Sequence, residues 1–330
     1  MANNLKIPAA YQGNGWIPRE KTMSCEIQEG RIWSAYSSSS EYHPLKAVLL
    51  HIPDPDIPET ADANRSLHLA SIDYRLLHRQ INDLADIFSR FGIDVHFMKP
   101  DSADDKVKFH KSFHNLMFVR DLFFMTPEGA VISRMASEIR AGEERCASKA
   151  LVELGIPVLC TISGKGTFEG ADAFWINEKR VLVGTGNRTN EVGFNQFKSC
   201  LKFQGVEAIR ISLPKGIMHL MGIFQIVDRD LALIRSDFIK GEIIDLIERQ
   251  GFQLIKMNET DEIKRNQAMN IVTLAPRKIV MVAGNPLTRR IYEENGIEVA
   301  ARIEVSELVK GAGGIGCATG ILHRQSLNGL

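Results

Sequence analysis

From Lys310 the chain reads KGAGGIGCATG, which sets a cysteine, Cys317, directly behind a run of glycines. A thiol becomes a strong nucleophile when a neighbouring cation or imidazole draws off its proton. Glycines around it let backbone N–H groups approach the reacting centre without Cβ obstruction. Gly311, Gly313 and Gly316 also fit G-x-G-x-x-G. That fingerprint needs a strand before it, a helix after it and an acidic residue about 20 positions on, whereas only Ala318 to Leu330 follow. The glycines are therefore assigned to the cysteine.

Other reactive side chains stand in short links far upstream. HNLMFVRD supplies Asn115, Arg120 and Asp121, GTFEGAD supplies Glu169 and Asp172, KGIMHLMG supplies His219, and KRNQAMN offers little of note. A histidine within reach of a leaving group and of water acts first as acid, then as base, and a carboxylate fixes its tautomer. Cys317, His219 and Glu169 fit these roles. Asp121 is left over, and a buried carboxylate requires a cationic partner, which a planar, fork-shaped guanidinium would supply. The remaining candidates read as structural. Cys146, Cys160 and Cys200 suit helix or strand faces, and His43, His51, His68 and His323 suit satisfied interior positions. His110 and His114 stand four apart but have no third metal ligand nearby. SGKGT at Ser163 lacks the first P-loop glycine, with Leu159 in its place. Arg120 beside Asp121 also fits a plain internal ion pair.

These links must be brought together by the elements between them. One phrase recurs five times, an amphipathic stretch, a glycine and a β-rich run, at Gly92, Gly155, Gly205, Gly251 and Gly296. The glycine falls where a helix end needs a left-handed residue. Four hairpin patterns follow, with turns near Glu128, Glu178, Arg229 and Arg277. The early strand HPLKAVLLHIP joined to the end of the chain completes a fifth. Helices are expected over 73–90, 136–154, 190–203, 240–249 and 286–294. Five such units imply an α/β fold with radial repetition, a five-fold pseudosymmetric α/β propeller of ββαβ modules. A doubly wound sheet would alternate single strands with single helices. In a ring the equivalent links meet at the axis, which gathers the thiol, the imidazole and the carboxylates into one pocket. Residues 1–40, polar and irregular, read as an N-terminal arm or lid, and 41–330 as a single catalytic domain.

Composition narrows the partners. Forty basic residues balance forty acidic ones, which argues against nucleic acid and anionic membrane as targets. The first residues, MANNLKIPAAYQGNGW, lack an apolar signal region, and no window approaches a membrane span. The expected location is cytoplasmic. Five cysteines without C-x-x-C spacing argue against a disulfide framework or a zinc knuckle. No metal and no cofactor are expected. The oligomeric state is not legible, and a homo-oligomer is compatible with the sequence.

FVRD (118–121), FEGAD (168–172), MHLMG (218–222) and GGIGCAT (313–319) resemble, in order, four motifs of the guanidino-group-modifying enzymes, the pentein superfamily. That superfamily holds arginine deiminases, dimethylarginine dimethylaminohydrolases and amidinotransferases, and the resemblance covers nearly the whole chain. It implies that Cys317 attacks a guanidinium carbon, His219 protonates the departing amine, and water then resolves an amidino-thioether. It further implies that Glu169 orients the imidazole, Asp121 grips the guanidinium, and Asp172 supports the pocket or touches the substrate. Asn115, Arg140 and Arg188, with Arg120 alongside, answer to the residues that bind substrate in that family, where an asparagine and arginines hold its carboxylate. Two departures stand out. Deiminases and amidinotransferases carry an aspartate two places after the histidine, where this chain has Met221, as dimethylarginine hydrolases also lack that aspartate. The loop arginine of deiminases, five residues before the cysteine, is Ala312. The resemblance thus implies a hydrolase of arginine or an N-substituted, methylated arginine. The alternatives are an amidinotransferase, against which the glutamate at 169 counts, and a non-catalytic binding module, against which the intact Cys317, His219 and Glu169 count.

Overall fold

The computed structural model describes residues 7–57, 62–99 and 113–326. Its strands are β1 (Leu45–Leu50), β2 (Asp94–Phe97), β3 (Phe123–Thr126), β4 (Gly129–Ile132), β5 (Val158–Thr161), β6 (Ala173–Asn177), β7 (Arg180–Thr185), β8 (Glu207–Ser212), β9 (Phe224–Asp228), β10 (Leu231–Arg235), β11 (Gln253–Met257), β12 (Val272–Ala275), β13 (Lys278–Val282), β14 (Glu298–Ile303) and β15 (Gly320–Arg324). They form five three-stranded sheets in a mixed α/β fold. In four of the sheets an antiparallel hairpin is joined by a third strand parallel to its second member. In the remaining sheet β1 pairs antiparallel with β15 and parallel with β2, so the fifth hairpin is built from opposite ends of the sequence, as expected.

A parallel third strand requires a crossover, and each crossover is a helix: Tyr74–Arg90, Glu143–Glu153, Glu191–Lys202, Glu242–Arg249 or Pro286–Glu294. The Asp73 side chain caps the first, accepting from Leu76 N at 3.0 Å, and the Asn190 side chain caps the third, accepting from Gly193 N at 2.8 Å. Gly92, Gly155, Gly205, Gly251 and Gly296 all have positive φ, at 70°, 71°, 69°, 94° and 74°. The second helix departs from expectation. It begins at Glu143 because Gly142, at φ 100°, breaks the chain direction, and the residues before it form a 3-10 turn, Glu138–Arg140.

The hairpin strands are buried on both faces, β4 at every position, which explains their nearly unbroken apolar runs. Apolar clusters join each sheet to the next. Val131 and Phe124 pack with Trp175 and Val183, Phe174 and Leu182 with Phe224 and Ala232, and Leu231 and Leu233 with Ile279 and Met281. Ala47 and Leu49 of β1 pack with the second sheet, while Val48 and Leu50 pack with Val280 and Val282 of the last. Ahead of β1, the segment carrying the short helix Met23–Glu29 is tied down by Ser24 Oγ donating to Glu128 Oε1 at 2.8 Å and by Ser34 N donating to Gly155 O at 3.0 Å. Among the described residues no helix is long and apolar enough to cross a membrane.

Candidate active site

Asn115, Asp121, Glu169, Asp172, His219 and Cys317 each sit in the link that precedes a hairpin or its second strand, whereas Arg140 and Arg188 follow β4 and β7. Phe168 and Arg134 exchange backbone hydrogen bonds at 3.1 Å, and the Phe168 ring stacks on Phe197 at 4.4 Å, which fixes the chain at Glu169. The tight turn Gly170–Asp172 then sets two carboxylates three residues apart on one histidine segment. Glu169 Oε2 bonds His219 Nε2 at 2.6 Å. Asp172 Oδ1 accepts from Leu220 N at 3.0 Å, and its Oδ2 accepts from Thr189 Oγ1 at 2.6 Å. The histidine is therefore clamped through its ring and through the next backbone amide. Asp172 is fully buried, with both carboxylate oxygens hydrogen-bonded.

Burial disfavours the imidazolium of His219, but Asp121, the Glu169 hydrogen bond and the charge of Asp172 outweigh it and push its pKa up to about 9. Glu169 is held well below the usual carboxylate range. Burial opposes this, and the His219 bond with the charges of His219, Arg140 and Arg188 prevails. The other ring nitrogen, Nδ1, lies 4.0 Å from Asp121 Oδ1. Among the described residues that oxygen is buried with no hydrogen-bond partner, while Oδ2 is paired with Arg140 Nη1 at 2.5 Å.

Cys317 sits in the short helix Ile315–Ala318. A Cβ at Gly313 would lie 2.4 Å from Phe118 Cε1 and one at Gly314 would lie 2.8 Å from Asn270 Cγ, so the glycines serve close packing around the thiol. Asn270 holds that loop: its Oδ1 accepts from Gly316 N at 2.7 Å and Cys317 N at 3.2 Å, and its Nδ2 donates to Cys317 Sγ at 3.0 Å. The fourth link, which offers little by residue type, thus supplies the side chain that orients Cys317. Burial and the charge of Asp121 push the Cys317 thiol up to about 11, against the opposing pull of Asn270, the Gly314 amide and Arg140. Asn270→Ala removes both the brace and the donor to sulfur. We expect about 1–3 kcal/mol lower stability and a kcat loss of about tenfold or more, read from urea unfolding and steady-state rates on one preparation.

A small cavity gathers Asn115, Asp121, Arg140, Arg188, His219 and Cys317 among its lining residues. Distant links therefore do converge. One arginine departs from its expected place. Arg120 points elsewhere, with its guanidinium on Glu41 at 3.1 Å and its charge over the Phe174 ring at 5.5 Å, so it pairs with neither Asp121 nor the pocket. Arg140 lines the cavity, but its guanidinium is spent on Asp121, on Glu143 at 2.8 Å and on the carbonyls of Asn115 and Phe118. In this structure it is the partner of Asp121. Arg188 reaches Glu169 at 3.3 Å with one nitrogen and stays partly exposed, and Asn115 donates its amide to Ser66 O at 2.9 Å. Met221 brings its sulfur to 3.8 Å from Cys317. His114 bonds Tyr74 Oη at 2.8 Å, and His110 lies outside the described residues. Asp121, Glu169 and His219 stand close enough to suit a metal ion, with Arg140 on Asp121 Oδ2 and Arg188 reaching Glu169.

The family model for arginine deiminase matches residues 89–248 and 237–324. The chain belongs to the arginine deiminase family. Within the family, an arginine deiminase of Borrelia garinii subsp. bavariensis is 25% identical over 308 residues, spanning 75% of this chain and 74% of that one. In fold the chain is similar to DDAH from Pseudomonas aeruginosa, solved with citrulline, at TM-score 0.65 and 23% identity over 86% of this chain and 100% of that chain. It is also similar to inosamine-phosphate amidinotransferase from Streptomyces griseus, at TM-score 0.70 and 15% identity over 89% and 98%.

Proposed function

We propose that this protein is a cytoplasmic hydrolase that cleaves a C–N bond of the guanidino group of arginine or an N-substituted arginine, leaving a ureido product and an amine or ammonia. One observation carries the reading: the unpartnered Asp121 Oδ1, buried in the cavity that Cys317 and His219 also line. An ionised oxygen so placed is costly unless a cation arrives, and a guanidinium is a flat cation with N–H donors to give. The five sheets are read as blades around an axis through this cavity, which is why links so far apart in sequence meet there. Glu41 onward is read as the catalytic domain, preceded by an arm.

The arriving guanidinium neutralises Asp121 and lowers the Cys317 pKa, so the thiol releases its proton to solvent and the substrate helps ionise its own nucleophile. The thiolate attacks the central carbon and a C–S bond forms. His219 Nδ1–H gives its proton to the departing nitrogen as the C–N bond breaks. The imidazole, now neutral and still held by Glu169, takes a proton from water, whose oxygen attacks the amidino-thioether and releases the thiolate. Thiol, imidazole and carboxylates supply every group these steps use.

The test is incubation with arginine, methylarginines and guanidino acids, with and without an acceptor amine. Ureido product in the absence of acceptor is expected. Turnover only with acceptor would make the protein an amidinotransferase, and silence across the panel would make it a binding module.

Arg188 is read as the grip on the substrate carboxylate. Arg188→Ala is expected to raise KM for arginine about tenfold to a hundredfold and to leave the KM of a guanidine without a carboxylate nearly unchanged. Since Arg188 also touches Glu169, kcat is expected to fall for both. Met221→Asp restores a carboxylate beside the sulfur and is expected to shift preference from methylarginine toward arginine. A shift the other way in competition assays would count against the reading of Met221.

A further inference from the structure

Cys317 and His219 line two cavities, not one. The second, about 190 Å³, adjoins the first and shares Met218, His219, Ala312 and Cys317 with it. The smaller cavity holds Asp121, Arg140 and Arg188, so the charges that suit an amino acid and a guanidinium are concentrated there. The larger one is walled near the nucleophile by the thioethers of Met218, Met221 and Met269 and by Gly222. Its arginine, Arg235, is already spent on Glu259 in two bonds of 2.6 Å. Methionine is flexible and polarisable and adapts to varied apolar shapes. Gly222 is exposed, and among the described residues a Cβ there would meet nothing within 4 Å, so a larger side chain has room on the open side of the chamber. Three of the non-glycine residues with positive φ, Leu67, Gln267 and Ala312, line one or both cavities, and strain of this kind is retained where a site depends on it.

We infer that the departing nitrogen of the substrate carries an aliphatic substituent longer than methyl, seated in this larger chamber against Met221, Met269 and Gly222. The inference rests on the hydrolase reading above. The chamber is too large for a single carbon, and the Met221 thioether, 3.8 Å from the Cys317 sulfur, offers an aliphatic group an apolar surface beside the reacting carbon. In the reaction the Cys317 Sγ–C bond forms, the bond from carbon to the alkyl-bearing nitrogen breaks, and His219 supplies the proton that makes an alkylamine. One water then gives the ureido product and restores the thiol, so one substituted guanidine and one water become one urea and one alkylamine.

The test uses the full chain and a series of ω-N-alkylated arginines from hydrogen through methyl, ethyl and propyl to butyl, scored for kcat/KM and for the amine released. Burial of each methylene is expected to raise kcat/KM about threefold to fourfold, with alkylamine as product. Gly222→Leu is expected to cut the butyl-to-methyl ratio by about tenfold or more. Should that variant not fold, Lys264→Trp, at an exposed position on the chamber rim, gives the same readout. Activity on arginine with kcat/KM falling from methyl to butyl, a ratio unmoved by the folded variant, or ammonia as the product overturns the inference and leaves the hydrolase reading standing. No turnover of any member overturns both.

Discussion

Cys317→Ser is expected to lower kcat by about 10⁴-fold or more, a loss of the size seen when a covalent nucleophile is removed. The substitution exchanges one atom in a loop whose position is set by Asn270 and by glycines packed on Phe118, so the unfolding midpoint should stay close to that of the parent. The size of the effect follows from acidity. The Cys317 thiol is already pushed up to about 11, and only the charge of an arriving guanidinium brings it within reach. A serine hydroxyl begins several units higher, beyond what Asp121 neutralisation can recover. Substrate should still bind, because Asp121 and Arg188 are untouched, and isothermal titration with arginine checks that separation of binding from chemistry.

Glu169→Gln is expected to cost about 10³- to 10⁴-fold in kcat, comparable to the loss of a carboxylate that holds a catalytic histidine in its tautomer. It should also move the pH profile. His219 is raised to about 9 by Asp121, Glu169 and Asp172, and as general acid it must be protonated, so the activity of the parent falls as pH rises through about 9. Without the Glu169 bond that alkaline limb moves toward the ordinary histidine value of about 6.5. Stability follows the same sign. A histidine whose folded pKa is raised contributes fully below its unfolded value and loses that contribution as pH climbs through about 9. Glu169, whose folded pKa is depressed, contributes above its ordinary value and loses it as pH falls below that value. The stability gap between parent and variant should therefore be widest between about pH 5 and 7 and narrow on both sides. Urea unfolding across pH checks it, and a gap that widens above pH 9 would contradict the pairing.

Much of this was legible from residue types because the repeat carries its own punctuation. The five glycines that end the helices require positive φ, and the hairpins announce themselves by polar turns between apolar runs, so the unit and its links could be marked off. Cys317, His219 and Glu169 stood out as thiol, imidazole and acid in equivalent links. Asn270 did not, since an amide carries no charge and no acid–base chemistry. The signal was position: Asn270, like Asp172, stands at the end of its link, just ahead of the hairpin strand. Arg120 misled for a physical reason. A guanidinium is defined by its partners, and sequence shows neither Glu41 beside Arg120 nor Glu143 beside Arg140. The early start expected for the second helix ignored Gly142, whose φ of 100° frees the preceding turn to deliver Arg140 to Asp121.

The central claim is that Cys317 bonds covalently to the guanidinium carbon. Acid quenching during steady-state turnover, followed by mass spectrometry of the peptide that contains Cys317, measures this directly. An amidino adduct should appear on that peptide alone, disappear when substrate is exhausted, and be absent from Cys317→Ser. Steady turnover to ureido product with the Cys317 peptide unmodified at every quench time would contradict it.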